Sequence, residues 1–291
     1  MIISKDYLSM LVHPKHKTRL EYDTTLNLLT DPIHNDSFYI KNNVPVLLNK
    51  GAGAGFDYKG HYQADATIYD YFHEEEEPAT REEINRLHQY TLKEIPAHTR
   101  WILDVGCGGG WLAKAIAGNN RNVISMDVSD INPVKATQNV PSPYHFGLVA
   151  DVFDLPFEQS SIDCIVACEI IEHVVDPEKF VKVLLHVLKP GGKLIITTPY
   201  NEFIRSSLCI HCNKQTPQNA HLHSFTEKSI KKYIPESVKA HKIKIRNNKL
   251  LVKLHIQSAL SFLPLYLWKQ LDNIANRLVK KAYRLIVVIE K

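Results

Sequence analysis

The chain has 291 residues, a formal net charge of +4 and 44% hydrophobic residues. That length accommodates an α/β core with a smaller appendage, and the apolar content excludes a disordered or fibrous chain. No segment reaches the roughly 18 apolar residues needed to span a bilayer. The start, Met1 to Asp6, lacks a basic-then-apolar secretory pattern, and five cysteines, an odd number, argue against a disulfide framework. The expectation is a cytoplasmic protein whose charge is too mild to require a nucleic-acid partner.

Residues 1–50 read as a small β unit, with Val44–Leu48 a short strand after the polar turn Lys41-Asn-Asn43. Residues 49–60 read as a Gly-, Ala- and Lys-rich linker or ligand-covering loop. Residues 63–100 read as helical, with a solvated acidic lead-in at Glu74–Glu77 and a capping box at Thr80-Arg-Glu-Glu83. From Trp101 the pattern alternates between strand and helix. Ile102–Val105 is a strand, and the helix opening at Trp111 stops at Gly118-Asn-Asn120. Strands follow at 123–126, 147–150 and 162–168, ending in Asp127, Asp151 and Glu169. A helix with Val181, Leu184, Leu185 and Leu188 on one face precedes the break Lys189-Pro-Gly-Gly192. Lys193–Thr198 is the next strand. A Cys/His segment at 205–225, a strand at 242–254, an apolar-basic helix at 258–281 and a strand at 285–289 complete the chain. The expected domains are therefore 1–50, a connecting region 51–100, and an α/β domain 101–291.

The run Trp101-Ile-Leu-Asp-Val-Gly-Cys-Gly-Gly-Gly-Trp111 is a buried strand, a glycine turn and a helix start. In open α/β sheets a nucleotide-like ligand lies against such a turn. Glycines at 106, 108, 109 and 110 let a ligand touch the main chain. The carboxylate of Asp104 at the lip would repel a pyrophosphate and attract a ligand carrying an ammonium and a sulfonium, as S-adenosylmethionine (SAM) does. Gly108-x-Gly110-x-x-Ala113 formally fits a dinucleotide fingerprint. Asp104 sits where that pyrophosphate would lie, and Asp151 would then have no role.

Leu103-Asp-Val-Gly-Cys-Gly-Gly-Gly110, Asp127, Ala150-Asp151, Glu169-Ile-Ile-Glu-His173 and Leu188-Lys-Pro-Gly-Gly192 together make residues 101–200 resemble class I SAM-dependent methyltransferases of the ubiquinone-biosynthesis type. The resemblance implies an α/β, Rossmann-like sheet of seven mostly parallel strands with one antiparallel, beside the small N-terminal β unit. It also implies SAM as cofactor, held by Gly106, Gly108, Gly110 and Cys168 together with the strand-end acids. Asp104 would hold the methionine ammonium, Asp127 the ribose hydroxyls, and Asp151 with the Val152 amide the adenine. A lone strand-end Asp is ordinarily a helix cap; three in register read as a cofactor edge.

The Asn/Asp-Pro-Pro-Tyr motif of base amino-methyltransferases is absent, the chain having Cys168-Glu-Ile-Ile171 there, so an oxygen acceptor is favoured by elimination. Glu169, Glu172 and His173 are the catalytic candidates. In some relatives this cluster helps hold a divalent metal that would lower the acceptor hydroxyl pKa. The alternative is that the two acids merely open the following helix.

Cys209-Ile-His-Cys212 and His221-Leu-His223 have zinc-like spacing. Cys209, Cys212 and His221 are read as structural zinc ligands and His223 as a residue facing the acceptor; the alternative is a surface loop with incidental cysteines. Residues 1–50 resemble a zinc-ribbon-like domain whose knuckle positions fall on His13, His16, Asp31 and His34 instead of the usual cysteines. Oxygen and nitrogen ligands hold zinc less securely than thiolates. A metal-free unit held by Leu20, Val44, Val46 and Leu47 is expected. The apolar residues of 260–271, followed by Arg277, Lys280, Lys281 and Arg284, are read as a helix or helix pair, broken near Pro264, packing over the substrate cleft, with a membrane-surface helix as the alternative. The expected function is SAM-dependent O-methylation of a small metabolite, glycan or lipid-like acceptor. An RNA-modifying methyltransferase and a non-catalytic SAM-binding regulator are the alternatives.

Overall fold

The computed structural model describes residues 4–49, 57–210, 213–238 and 240–291. In chain order these form α1 (Lys5–Leu8), β1 (Glu21–Asp23), β2 (Leu28–Asp31), β3 (Asp36–Lys41), β4 (Val44–Leu47), α2 (Tyr58–Ile68), α3 (Pro78–Glu94) and β5 (Trp101–Val105). Then come α4 (Trp111–Ile116), β6 (Asn122–Asp127), α5 (Asn132–Asn139), β7 (His145–Ala150), β8 (Ile162–Cys168), α6 (Pro177–Val187) and β9 (Leu188–Pro199). The last are β10 (Ser206–Leu208), β11 (Gln215–Pro217), β12 (Ala240–Asn248), α7 (Lys249–Lys253), α8 (Ile256–Ala259), α9 (Leu265–Leu278) and β13 (Ala282–Glu290).

Two compact units emerge, and they divide the chain differently from the 1–50, 51–100 and 101–291 expectation. The first comprises Met1–His73, His98–Val166 and Val183–Gly192; the second comprises Glu74–Ala97, Ala167–Lys182 and Lys193–Lys291.

In the first unit, β7, β6, β5 and β8 lie side by side and parallel. All five residues of β5 are buried, as expected of a strand covered on both faces. The N-terminal strands β1 to β4 form an antiparallel meander. Asn42 and Asn43 both take positive φ (49° and 67°), which suits the tight turn joining β3 to β4. This meander is no separate domain, because β4 pairs in parallel with β7 through Val46–Val149 and Leu47–Ala150. Gly147 permits the approach: a Cβ there would come within 2.6 Å of Val44 Cγ2. Leu20, Val44, Val46 and Leu47 are buried as expected.

Hydrogen bonds close the knuckle positions of the meander. His13 Nδ1 accepts from the amides of Lys15 and His16 (3.0 and 3.1 Å), and Asp31 Oδ1 accepts from those of Ile33 and His34 (2.9 and 3.3 Å). His13 Nε2 lies 3.0 Å from Asp36, a residue outside the four expected positions.

In the second unit β13 runs antiparallel to both β9 and β12, which flank it. It is the antiparallel strand that the resemblance implies. Two boundaries differ from expectation. Glu77, not Thr80, caps α3, its carboxylate accepting from the amides of Ala79 and Thr80; Pro78 in the first turn then fixes the start. The strand expected to reach 254 ends at Asn248, whose side chain accepts from the Leu250 amide and starts α7. The apolar-basic stretch is a helix pair, α8 and α9, with Pro264 at the entry to α9, where the break was expected.

Candidate active site

The cofactor-binding candidates cluster in the first unit, at the carboxyl ends of β5, β6 and β7. Asp104 is 1% exposed, and its Oδ2 has no hydrogen-bond partner among the described residues. Burial, assisted by the charge of Asp127, pushes this carboxyl up to about 7. A buried, unpartnered carboxylate is costly unless a cation completes it. The turn beyond it is built for close approach: Gly106, Gly108 and Gly110 have φ of 69°, 46° and 70°. The amides of Gly106 and Cys107 donate to the Met126 carbonyl (2.9 and 3.0 Å), tying the turn to the end of β6.

Asp127 accepts from the Ser129 amide at Oδ1 (3.0 Å) and from Asn132 Nδ2 at Oδ2 (3.1 Å). Burial pushes its pKa up as well. Asp151 opens a short helical turn at Val152–Asp154 and accepts from the Phe153 amide. Its other oxygen accepts from the Tyr58 hydroxyl and lies 3.0 Å from Lys59 Nζ. The expected adenine acceptor is thus already engaged by α2. Part of the loop expected to cover the ligand, residues 50–56, lies outside the described residues.

Tyr58, Lys59 and Tyr71 escaped the sequence reading. The Tyr71 carbonyl abuts the glycine turn so closely that a Cβ on Gly109 would meet it at 2.3 Å. No periodic signal marks these contacts, because two single side chains at the start of α2 and one backbone carbonyl beyond its end make them. A run of tyrosines (58, 62, 69 and 71) beside a glycine-rich stretch is the only trace in the sequence.

The catalytic candidates cluster in the second unit, where Cys168, half-buried, ends β8. Glu169 follows with φ of 57°, a conformation rare for a non-glycine residue. Three contacts hold it there. Its amide donates to the Thr197 carbonyl (3.0 Å), its Oε1 accepts from Thr197 Oγ1 (2.8 Å), and its Oε2 accepts from Arg284. Arg284 also donates to both oxygens of Glu83 (2.9 and 2.7 Å). Glu172 is 1% exposed, and among the described residues neither of its oxygens meets a partner in hydrogen-bond geometry, with Thr198 the neighbouring hydroxyl. Burial and the neighbouring Glu169 charge push its pKa well up.

Glu172, His173 and His221 bring donor atoms within 4.8 Å of one another, an arrangement able to hold a divalent cation or relay a proton. The unpartnered oxygens of Glu172 fit such an ion. The two histidines of the segment make different contacts. His221 lies beside His173, ring centroids 4.7 Å apart, with its Nδ1 2.5 Å from Glu202. His223 is instead tied through Nε2 to the Val174 carbonyl (3.0 Å). The amides of Leu222 and His223 both donate to the Glu172 carbonyl, which fixes this segment beside the acid. Cys209 lies in the turn after β10, and Cys212 lies outside the described residues. Among the described residues, His221 groups with acids and a histidine, not with Cys209.

Residues 103–196 match the methyltransferase domain family. Over 112 residues the chain is 35% identical to a ubiquinone biosynthesis O-methyltransferase of Xylella fastidiosa, a match covering 38% of this chain and 46% of the relative. The chain therefore spans about half the length of the curated relatives it matches. Among solved structures, phosphoethanolamine N-methyltransferase 2 of Haemonchus contortus, in complex with SAM, superposes with a TM-score of 0.52 at 16% identity. That likeness covers 85% of this chain and 61% of the other. A SAM-dependent methyltransferase of Aquifex aeolicus gives a TM-score of 0.50 at 16% identity, covering 81% of this chain and 99% of its own. At such identities the structural likeness speaks for the Rossmann-like fold alone. The family match is confined to residues 103–196, the segment that carries the strand-end acids and the glycine turn, and there the chain is similar to methyltransferase domains.

Proposed function

We propose that this chain transfers the methyl group of SAM to a hydroxyl oxygen of a small metabolite, glycan or lipid-like acceptor. The observation that carries the reading is Asp104: a buried carboxylate with an unpartnered oxygen beside a glycine turn shaped for backbone contact. Bound SAM would supply a sulfonium-activated methyl carbon, and the acceptor oxygen displaces the sulfur at it.

The residues then divide the work. Asp104 neutralises the methionine ammonium, and Asp127 holds the ribose hydroxyls beside the turn. Asp151 takes the adenine amino group by exchanging its bonds to Tyr58 and Lys59. Glu172, in its ionised form, receives the proton that the acceptor hydroxyl loses, and the burial that raises its pKa makes that carboxylate a stronger base. His173 and His221 flank it. Alignment of acceptor and methyl is the main source of rate in such a displacement. The O-methyltransferase relatives support an oxygen acceptor.

A divalent ion held by Glu172, His173 and His221 is a second reading, favoured by the unpartnered oxygens of Glu172. It would lower the acceptor hydroxyl pKa. Turnover with candidate acceptors in chelator-treated and metal-supplemented protein tests it: activity that survives chelation rejects the metal and leaves Glu172 as the proton acceptor. Methyl transfer from labelled SAM to hydroxylated acceptors tests the main reading. Transfer to amines alone, or none to any acceptor by protein that binds SAM, would reject it.

A further inference from the structure

A recess away from Glu172 lies on the other side chains of β12 and β13 in the second unit. Lys242, Lys244 and Arg246 alternate onto one face of β12, opposite Val288, Ile286 and Arg284 of β13. With the end of α3 and the start of α9, Lys242, Lys244, Arg246, Ile286 and Val288 line a cavity of about 210 Å³. Lys93 and Lys269 add to the cationic rim, against a single acid, Glu94. Glu94 is 3.3 Å from Lys242, and Arg246 is turned inward, donating to Asn273. Lys93, Lys244 and Lys269 form no ion pair among the described residues.

Beside this cationic rim stand apolar groups that gain nothing from water. Phe262 is 75% exposed, Tyr266 63% and Leu267 43%. Looseness of the turn does not explain the exposure of Phe262. The buried Arg86 guanidinium donates to the carbonyls of Leu260, Ser261 and Leu263 (3.2, 2.9 and 3.0 Å) and stacks over the buried Trp268 ring. The turn is clamped from inside, and Phe262 points outward from it.

We propose that this face docks on an anionic lipid bilayer, with Phe262, Tyr266 and Leu267 entering the boundary between headgroups and acyl chains. Lys93, Lys244 and Lys269 meet the lipid phosphates. Among the described residues no helix is long and apolar enough to cross a membrane, so the contact is with the surface. RNA is the other polyanion a cationic face attracts. It would call for aromatic platforms along a phosphate track, whereas the rim pairs cations with one phenyl, one phenol and an aliphatic group. The proposal stands independently of the reading of the methyl-transfer site.

Co-sedimentation of the full chain with lipid vesicles tests it, using phosphatidylcholine alone and phosphatidylcholine with about 30% phosphatidylglycerol. The expected result is binding to the anionic vesicles, release by about 0.5 M salt, and at least roughly tenfold weaker partitioning in the double variant Lys244→Gln/Lys269→Gln. Phe262→Ser should weaken it on anionic vesicles too. Unchanged melting temperature and SAM affinity establish that the variants are folded. Absence of binding, equal binding to neutral vesicles, or full binding by the folded double variant would overturn the proposal. So would single-stranded RNA that displaces the vesicles and binds through the same lysines.

Discussion

Arg284 joins Glu83 and Glu169, donating to both oxygens of the first and to Oε2 of the second, across 201 and 115 residues of sequence. Among the described residues the guanidinium is the one cation paired with either acid, and Glu83 is almost wholly buried. Arg284→Met leaves two acids uncompensated and should cost about 3–5 kcal/mol of stability. Glu83→Gln keeps the shape of the pair and should cost less, about 1–3 kcal/mol. Thermal or denaturant unfolding measures both, and equal stability in Arg284→Met would show that the network carries no structural weight.

The raised pKa of Asp104 makes cofactor binding depend on pH. Only the carboxylate attracts an ammonium, so protonation through about pH 7 competes with the ligand. SAM affinity should therefore rise as pH increases from 5 to above 7 and then level off, with a limiting slope of about tenfold per unit. The folded apo-protein has the opposite dependence. Because the folded pKa of Asp104 lies above its unfolded value, its stabilising contribution is complete below the unfolded pKa and is lost as pH rises through about 7. Asp104→Asn should flatten both profiles, as calorimetry and melting curves across pH would show.

Gly109 offers a steric test that does not depend on charge. Its added Cβ would stand 2.3 Å from the Tyr71 carbonyl, a backbone atom that cannot swing aside. Gly109→Ala should displace the Tyr71 segment, weaken SAM binding and cost about 1–3 kcal/mol of stability. Wild-type affinity in this variant would mean that the segment moves without consequence.

Glu172 separates chemistry from binding. Glu172→Gln keeps the size and shape of the side chain and should leave SAM affinity and melting temperature near wild type. Its kcat should fall by roughly 10²–10⁴-fold. A parallel loss in His221→Ala, but not in His223→Gln, would match the positions of the two rings. An inactive His223→Gln beside a fully active His221→Ala would restore the order expected from spacing alone.

The parts of the site legible in the sequence are those that local chain chemistry writes down. Asp104, Asp127 and Asp151 each end an apolar run, and the glycine turn follows the first directly. The pairs Tyr58–Asp151 and Arg284–Glu169 left no such mark, since each joins two unrelated elements through one polar contact. His221 and His223 are two residues apart, and hydrogen bonds from the amides of Leu222 and His223 to the Glu172 carbonyl decide which ring reaches Glu172. Spacing could not have resolved that choice. The β4 strand was readable from Val44–Leu47, but its parallel pairing with β7 rests on the missing side chain of Gly147.

The most direct measurement compares S-adenosylhomocysteine with 5′-methylthioadenosine, which lacks the ammonium, by titration calorimetry on wild type and Asp104→Asn. The wild type should prefer the amino-acid-bearing ligand by about 1.5–3 kcal/mol, the range for hydrogen bonds to charged groups, and the preference should largely vanish in the variant. No heat with either ligand, or the same preference with and without the carboxylate, would contradict the assignment of this acid to the cofactor.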